Sequence, residues 1–343
     1  MLRRRRLSCR AFSMLRRTER AVLVLTIIIL LLFHVLFLLF LPFGGGGERV
    51  LFLLRSGTST RLLARHLKEA GLVRSEGLFL LTASLLRVRF IAGEYEFRRP
   101  VSLWDILRKM GRGERRIYTL TIREGANIFD VAEEVEKKGI MERKRFLALC
   151  HDRVFLRVMG IEASSLEGYL APDTYFYSKE VEPEQFIGLI VRRRLAFFNE
   201  PFIKARMQEL GLDIHKTLTL ASMIEREAKI KEEKPLISAV FHNRLKRGMS
   251  LDCDPTVIYG LQLFGESLRR SHLRTRTPYN TYLLKGLPDG PICNPDDHSI
   301  RAALYPAPVS YLYFVSRNDG THVFSNTREE HDRFVFMYQK NKR

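Results

Sequence analysis

The stretch Leu218-Thr-Leu-Ala-Ser-Met-Ile-Glu-Arg-Glu-Ala228 holds the residues best spaced for chemistry. Leu220, Met223, Ile224 and Glu227 recur at i, i+3, i+4 and i+7, which is one face of a helix. A carboxylate where that pattern calls for a fourth hydrophobe is costly to ionise, because burial disfavours the charge. Such a group tends to keep its proton at neutral pH, as a general acid must. Glu225, two residues earlier, points about 200° away, on the side of Ala221 and Ser222, and reads as the more solvated of the pair. The competing reading makes Glu227 no more than the polar edge of an amphipathic stripe.

The elements that must position this carboxylate lie in residues 217–343. A second helical run, Leu236 to Arg247, ends at Gly248. Three loops follow: Asp254-Pro-Thr-Val-Ile-Tyr-Gly260, Thr277-Pro-Tyr-Asn-Thr-Tyr282 and Gly286-Leu-Pro-Asp-Gly-Pro-Ile-Cys-Asn294. Loops so rich in Pro, Gly, Asn and Tyr are stiff and hold side chains on a groove wall at low entropic cost. Tyr311-Leu-Tyr-Phe-Val and His322-Val-Phe-Ser read as a β-hairpin around Asn318-Asp-Gly320. Upstream, residues 143–216 are mostly helical by period and contain Leu166-Glu-Gly-Tyr-Leu-Ala-Pro-Asp-Thr-Tyr175, in which Pro172 and Asp173 read as a turn. Its acids and tyrosines suit a carbohydrate groove and equally an ordinary capped loop.

Ala21 to Phe43 carries no formal charge and is nearly all Leu, Ile, Val and Phe. As a helix it reaches about 35 Å, enough for a hydrocarbon layer of about 30 Å. The run is too long for the apolar core of a signal peptide. Residues 1–20 hold eight Arg against one Glu, so the positive-inside rule keeps this arm in the cytoplasm and puts the rest across the membrane. The expected topology is a single-pass, N-in anchor in the cytoplasmic (inner) membrane. Of the net charge of +19, the arm supplies +7 and leaves +12 on the outer body. That orientation argues against nucleic acid and leaves an anionic surface or a solvated basic face. Cys9 lies inside, and Cys150, Cys253 and Cys293 outside. One bridge, Cys253 to Cys293, is compatible with this and not required. No metal-ligand or nucleotide-loop spacing occurs, so neither metal nor cofactor is expected.

Gly44 to Gly47 read as a flexible link, and an internal repeat follows at an offset of 68 residues. Arg55-Ser-Gly57 matches Arg123-Glu-Gly125, and Ala64, Leu67, Gly71 and Leu72 match Ala132, Val135, Gly139 and Ile140. Each copy reads as strand, glycine turn, amphipathic helix and helix-ending glycine. Gly93 to Phe97 is a further strand candidate, and Leu103 to Met110 a further helix.

Six motifs in order, LEGYLAPDTY, LASMIEREA, VFHNRLKRGMSLDCDPTVIYG, TPYNTY, LPDGPICNP and the YLYFV…HVFSNT tail, resemble the endolytic murein transglycosylases of the MltG, or YceG-like, family. The resemblance covers nearly everything beyond the apolar run. It implies an α+β protein with a transmembrane helix (21–43), a LysM-like αβ module (44–116), a second αβ repeat with a helical segment (117–216) and a catalytic domain of mixed helix and strand (217–343). It implies a membrane-anchored enzyme that cuts inside peptidoglycan glycan strands by lytic chemistry. It further implies 1,6-anhydro ends as products and, as partners to be expected, glycan strands, the membrane and peptidoglycan synthases.

By position the family's essential glutamate falls in the Glu225/Glu227 pair, Glu227 first and Glu225 as fallback. A lytic enzyme needs one acid/base, because the muramyl C6 hydroxyl attacks the anomeric carbon itself. Glu167, Asp173, Asp254, Tyr259, Asn280, Thr281, Tyr282 and Asn294 are the candidates for positioning sugar. Tyr259 and Tyr282 could instead be core aromatics, and Asp254 could cap a helix beginning at Pro255. Asp252, Cys253, Ala171 and Asp289 depart from the family pattern without removing a proton-transfer group. The rival readings are a muramidase pairing Glu227 with Asp254 or Asp173, and a non-catalytic wall-binding anchor.

Overall fold

A computed structural model describes residues 3–340, with side chains from residue 21 onward. The arginines of the basic arm and Cys9 lie outside the described side chains. Helix α1 (Arg3–Phe40) includes Ala21–Phe40, with a mean hydropathy of 3.2 and almost no protein cover. A helix apolar all round and uncovered is suited to lipid, and this one is long enough to cross a membrane.

The helix stops at Phe40, three residues short of the expected run. Leu39 is buried, Phe40 packs 5.6 Å from Trp104 between ring centroids, and Phe43 pairs with Val101 through backbone hydrogen bonds of 2.8 and 3.0 Å. The last apolar residues are thus anchored on the folded body before Gly44. The glycine run is a turn after that contact, not the tether between helix and body.

The chain forms two compact units, residues 1–118 with 178–180 and residues 119–177 with 181–343. In the first, β1 (Arg49–Leu54), α2 (Thr60–Glu69), α3 (Glu76–Leu85), β2 (Gly93–Arg98) and α4 (Leu103–Arg112) follow α1. β1 and β2 pair antiparallel from Arg49↔Arg98 to Leu54↔Gly93. Alternation along β1 turns Phe52 and Leu54 inward and Leu51 and Leu53 outward. Phe52 and Leu54 join Leu63, Leu67, Phe79, Tyr95, Ile106 and Met110 in one core.

The second unit contains most of β3 (Tyr118–Ile122), then α5 (Ile128–Lys137), α6 (Arg143–Cys150), α7 (Arg153–Val158), β4 (Asp173–Tyr177), α8 (Pro183–Phe197), α9 (Pro201–Leu210) and α10 (Ile214–Glu227). α11 (Lys234–Lys246), α12 (Asp254–Leu261), α13 (Asp297–Leu304), β5 (Tyr313–Ser316), β6 (His322–Ser325) and α14 (Arg328–Val335) complete it. The boundary expected at 216/217 falls inside this unit, because α10 is its central helix, buried from Thr217 to Ile224 and packed on α11, α12 and α13.

The repeat is visible in both units. β1 and β3 each lead through a glycine at positive φ (Gly57, +80°; Gly125, +73°) into α2 and α5, which end at Gly71 and Gly139. Only a residue without a Cβ turns there without strain. Asp173 opens β4, which pairs with β3, where the sequence suggests a turn. The tail hairpin pairs Tyr313↔Ser325 to Ser316↔His322, and Asn318 and Gly320 take positive φ in its turn.

Candidate active site

α10 is capped at its start by Asp213, whose carboxylate accepts from Lys216 N at 2.7 Å. Its chain turns extended at Ala228, so Glu227 is the last helical residue, just past the buried stretch. By area Glu227 is half-buried and opens to a cleft of about 440 Å³. Its carboxyl group is nonetheless closely surrounded by protein atoms. Burial pushes its pKa up to about 7, against a thiol hydrogen bond from Cys253 that lowers it; the Asp254 charge adds to the rise and Arg226 opposes it. The C-terminal end of a helix dipole also disfavours negative charge. Water in the open cleft moderates the push without reversing it, so a substantial fraction of Glu227 holds a proton at neutral pH.

Cys253 is fully buried and its thiol is pushed well above the ordinary range, so it serves as a hydrogen-bond donor and not as a nucleophile. Cys150, Cys253 and Cys293 are each free and buried, so the Cys253–Cys293 bridge is not formed. Cys293 instead directs its thiol to Ser222 O at 3.4 Å.

Asp254 and Tyr282 line the same cleft as Glu227, joined by a hydrogen bond of 2.6 Å from the phenol to the carboxylate. Asp254 is the first residue of α12, not a cap before it; Cys253 stands at the cap position. Burial, together with this bond, raises the Tyr282 phenol and keeps it a donor.

Glu225 differs from expectation: it is enclosed, not solvated. Its Oε2 accepts from Lys234 Nζ at 3.1 Å, Asp296 N at 3.0 Å and Ser299 Oγ at 2.6 Å. Burial raises its pKa, while Lys234 stays charged between Glu225 and Asp296 despite its own burial. The helical wheel separates Glu225 from the Leu220–Ile224 stripe, but α10 is buried all round, and Ala221 and Ser222 are as inaccessible as Ile224. Glu225 thus ties the end of α10 to the starts of α11 and α13, and it does not line the cleft.

A profile of the YceG-like family matches residues 52–336. The chain belongs to the YceG-like family. It is 31% identical over 304 residues to an endolytic murein transglycosylase of Bacillus subtilis (strain 168), covering 84% of each chain. It is 27% identical over 319 residues to an endolytic murein transglycosylase of Streptococcus pneumoniae (strain ATCC BAA-255 / R6), covering 83% of this chain and 58% of that protein. A crystal structure of a putative YceG-like protein from Listeria monocytogenes superposes with a TM-score of 0.59 at 30% identity, over 84% of this chain and all of that one.

The remaining candidates of this YceG-like chain do not line the cleft; they fall in two hydrogen-bonded networks, with one outlier. Asn280 and Thr281 are fully buried. Asn280 Nδ2 donates to Leu273 O and Thr275 O at 3.0 and 2.8 Å, while its Oδ1 accepts from Tyr282 N at 3.0 Å. Thr281 Oγ1 accepts from Cys253 N at 3.0 Å and meets Thr256 Oγ1 at 2.9 Å. Together they fix the loop that aims Tyr282 and the turn that carries Cys253 and Asp254.

Glu167, Tyr259 and Asn294 form a second buried network. Glu167 accepts from Ile128 N at 3.0 Å, at the start of α5, and from Tyr259 OH at 2.9 Å. Burial pushes it up to about 8, so it is largely protonated. Asn294 accepts from Leu170 N at 2.9 Å and donates to Ala126 O at 2.8 Å. Asp173 stands apart, exposed at the head of β4 with its carboxylate on Thr174 N.

Among the cleft residues that the sequence reading gave no role are Arg244, Tyr313 and His322. Buried Arg244 donates to Leu312 O at 2.7 Å and Asp252 Oδ2 at 2.8 Å, and lies over the Tyr313 ring. It lies inside the motif beginning Val240-Phe-His-Asn-Arg244, which assigns it no role, and its partners are eight and 68 residues away.

Proposed function

We propose that this protein is a membrane-anchored lytic transglycosylase. It cleaves the MurNAc–GlcNAc bond inside peptidoglycan strands without water, leaves 1,6-anhydroMurNAc ends and so terminates growing strands. The observation that carries this reading is Glu227, a carboxyl group with raised proton affinity at the wall of an open, polar cleft. The names of the B. subtilis and S. pneumoniae relatives, endolytic murein transglycosylases, support the same substrate.

In this mechanism Glu227 protonates the departing glycosidic oxygen, its carboxylate then takes the proton of the muramyl C6 hydroxyl as O6 closes on C1, and no bound water is needed. Asp254 stabilises developing positive charge at C1, and Tyr282 orients that carboxylate. Asn280, Thr281, Glu167, Tyr259 and Asn294 act through the loops they hold, and Asp173 contacts substrate beyond the cleft. The apolar helix anchors the chain in the cytoplasmic membrane with the basic arm inside, and the two strand–turn–helix repeats act as LysM-like glycan holds near synthases.

A second reading draws on Asp254: two carboxyl groups facing one cleft is also the equipment of a hydrolytic muramidase. Detergent-solubilised full-length protein digesting purified peptidoglycan decides between them by mass spectrometry. Anhydro ends are expected from the wild type and no cleavage from Glu227→Gln. Products heavier by one water support hydrolysis, and an active Glu227→Gln variant removes Glu227 from the mechanism.

A further inference from the structure

The cleft wall opposite α10 is built from β5 and β6, and His322 stands at the start of β6. Its backbone N–H donates to Glu233 Oε1 at 2.9 Å, and its Nδ1 meets Glu233 Oε2 at 2.7 Å. One carboxylate thus holds both the strand and the ring. Both side chains are about nine-tenths buried. The Phe314 ring meets the imidazole edge-on at a centroid distance of 5.4 Å and fixes its plane. Glu233 closes a 3-10 turn, Lys231–Glu233, that begins four residues after Glu227.

A carboxylate only accepts, so the neutral imidazole carries its proton on Nδ1 and presents Nε2 as a lone pair. Nε2 has no hydrogen-bond partner among the described residues, and the ring lines the cleft that holds Glu227. A structural clamp needs only the Nδ1 side of this ring. The Nε2 side is a base oriented by a buried carboxylate, on a ring that lines the cleft. The other charged or titratable groups sharing that space are Asp252 and Asp254 before and at the start of α12, Arg244 on α11, Tyr282 and Tyr313, and Arg328 and His331 on α14.

We propose that His322, oriented by Glu233, is the base of the reaction and divides the proton work with Glu227. This rests on the transglycosylase reading and alters who takes the second proton. As the muramyl O6 forms its bond to C1, the electrons of the O6–H bond remain on O6 and the proton passes to His322 Nε2. The C1–O4 bond breaks with its electron pair going to O4, which receives the proton of Glu227. The imidazolium then returns one proton through solvent to the Glu227 carboxylate, so a turnover consumes none.

The test uses detergent-solubilised full-length protein on purified peptidoglycan, with anhydro ends counted by mass spectrometry. His322→Asn keeps a donor where Nδ1 was and so preserves the Glu233 bond, but it has no atom at Nε2. Its kcat is expected to fall about 100-fold or more with KM within about twofold, the usual contribution of one proton-transfer group. His322→Ala leaves a ring-sized gap, and added imidazole is expected to restore its kcat at least about tenfold. Glu227→Gln is expected to stay inactive with imidazole present.

Wild-type kcat in His322→Asn overturns the proposal. So does a His322→Ala variant that is impaired, lowered in melting temperature and flat in imidazole, since that describes a clamp only. If Glu227→Gln is active, or the wild type yields no anhydro ends, the transglycosylase reading fails and this proposal fails with it. Failure of the His322 variants alone leaves that reading standing.

Discussion

The opposed effects of Cys253 and Asp254 on Glu227 give a test by sign. The Cys253 thiol hydrogen bond favours the ionised carboxylate, while the Asp254 charge favours the protonated one. Asp254→Asn removes the like charge and keeps an acceptor for Tyr282, so Glu227 should titrate lower. Cys253→Ala removes the donor, so Glu227 should titrate higher. A like charge within about 6 Å, at the effective dielectric of ~40–80 suited to an open cleft, is worth roughly 0.7–1.4 kcal/mol, or about 0.5–1 pH unit. A thiol is a weak donor, and its loss should be worth about half a unit.

In the proposed mechanism the active form of Glu227 is protonated, so kcat/KM should fall as pH rises through its pKa of about 7. The alkaline limb of kcat/KM for muropeptide release should therefore move down in Asp254→Asn, on a plateau lowered by the lost charge stabilisation at C1, and up in Cys253→Ala, with the plateau largely kept. Shifts of the same sign in both variants refute the electrostatic account. Complete loss of activity at every pH in Asp254→Asn makes that carboxylate indispensable beyond its effect on Glu227, and the product masses then separate charge stabilisation at C1 from a muramidase.

Two predictions concern stability. Glu167 has a folded-state pKa of about 8 against 4.5 for the free side chain, so between those values the folded state binds the extra proton. Glu167 alone should make the unfolding free energy fall with rising pH over that window by up to about 1.4 kcal/mol per unit, Glu227 adds to the fall below about 7, and Glu167→Gln should show a smaller slope than wild type in urea titrations at pH 5 and 8. Gly168 holds φ at +84°, and a Cβ there would lie 2.7 Å from the Pro291 ring. Gly168→Ala should cost roughly 2–4 kcal/mol in the same titrations, from strain and overpacking together.

Local pattern made much of this fold legible. The apolar run, the repeat with its paired glycines, the Asn318–Gly320 hairpin and the helix carrying Glu227 all follow from spacing within a few residues of each other. α3 did not, because Gly-Leu-Phe-Leu-Leu-Thr-Ala-Ser is apolar nearly all round and carries no helical period. Of the site, Glu227, Asp254 and Tyr282 were legible and do share a cleft. The Glu233–His322 pair was not, since its partners stand 89 residues apart and no local signal links a 3-10 turn to a strand. Glu225 was misread for a related reason. A helical wheel ranks the faces of one helix, but how many of those faces are covered is decided by the helices packed around it.

The two acids of Glu225-Arg-Glu227 thereby acquire separate duties that depend on their order. Glu225 lies within the last turn of α10, where Lys234 and the backbone at the start of α13 can reach it. Its removal would leave Lys234 and Asp296 facing each other with one carboxylate fewer in a buried cluster. Glu227 lies two residues further on, past the last buried turn, where packing ends and the cleft begins. A carboxyl group that must accept and release a proton cannot also be the fixed partner of a buried ammonium, because the ion pair would hold it ionised. Anchoring the helix end through Glu225 leaves Glu227 without a lysine or arginine ion pair among the described residues, with the more distant Arg226 as the cation favouring its ionised form, while its backbone is still fixed. The chemistry assigned to Glu227 is therefore built on the burial of its neighbour, and exchanging the two residues' surroundings would cost the site its acid.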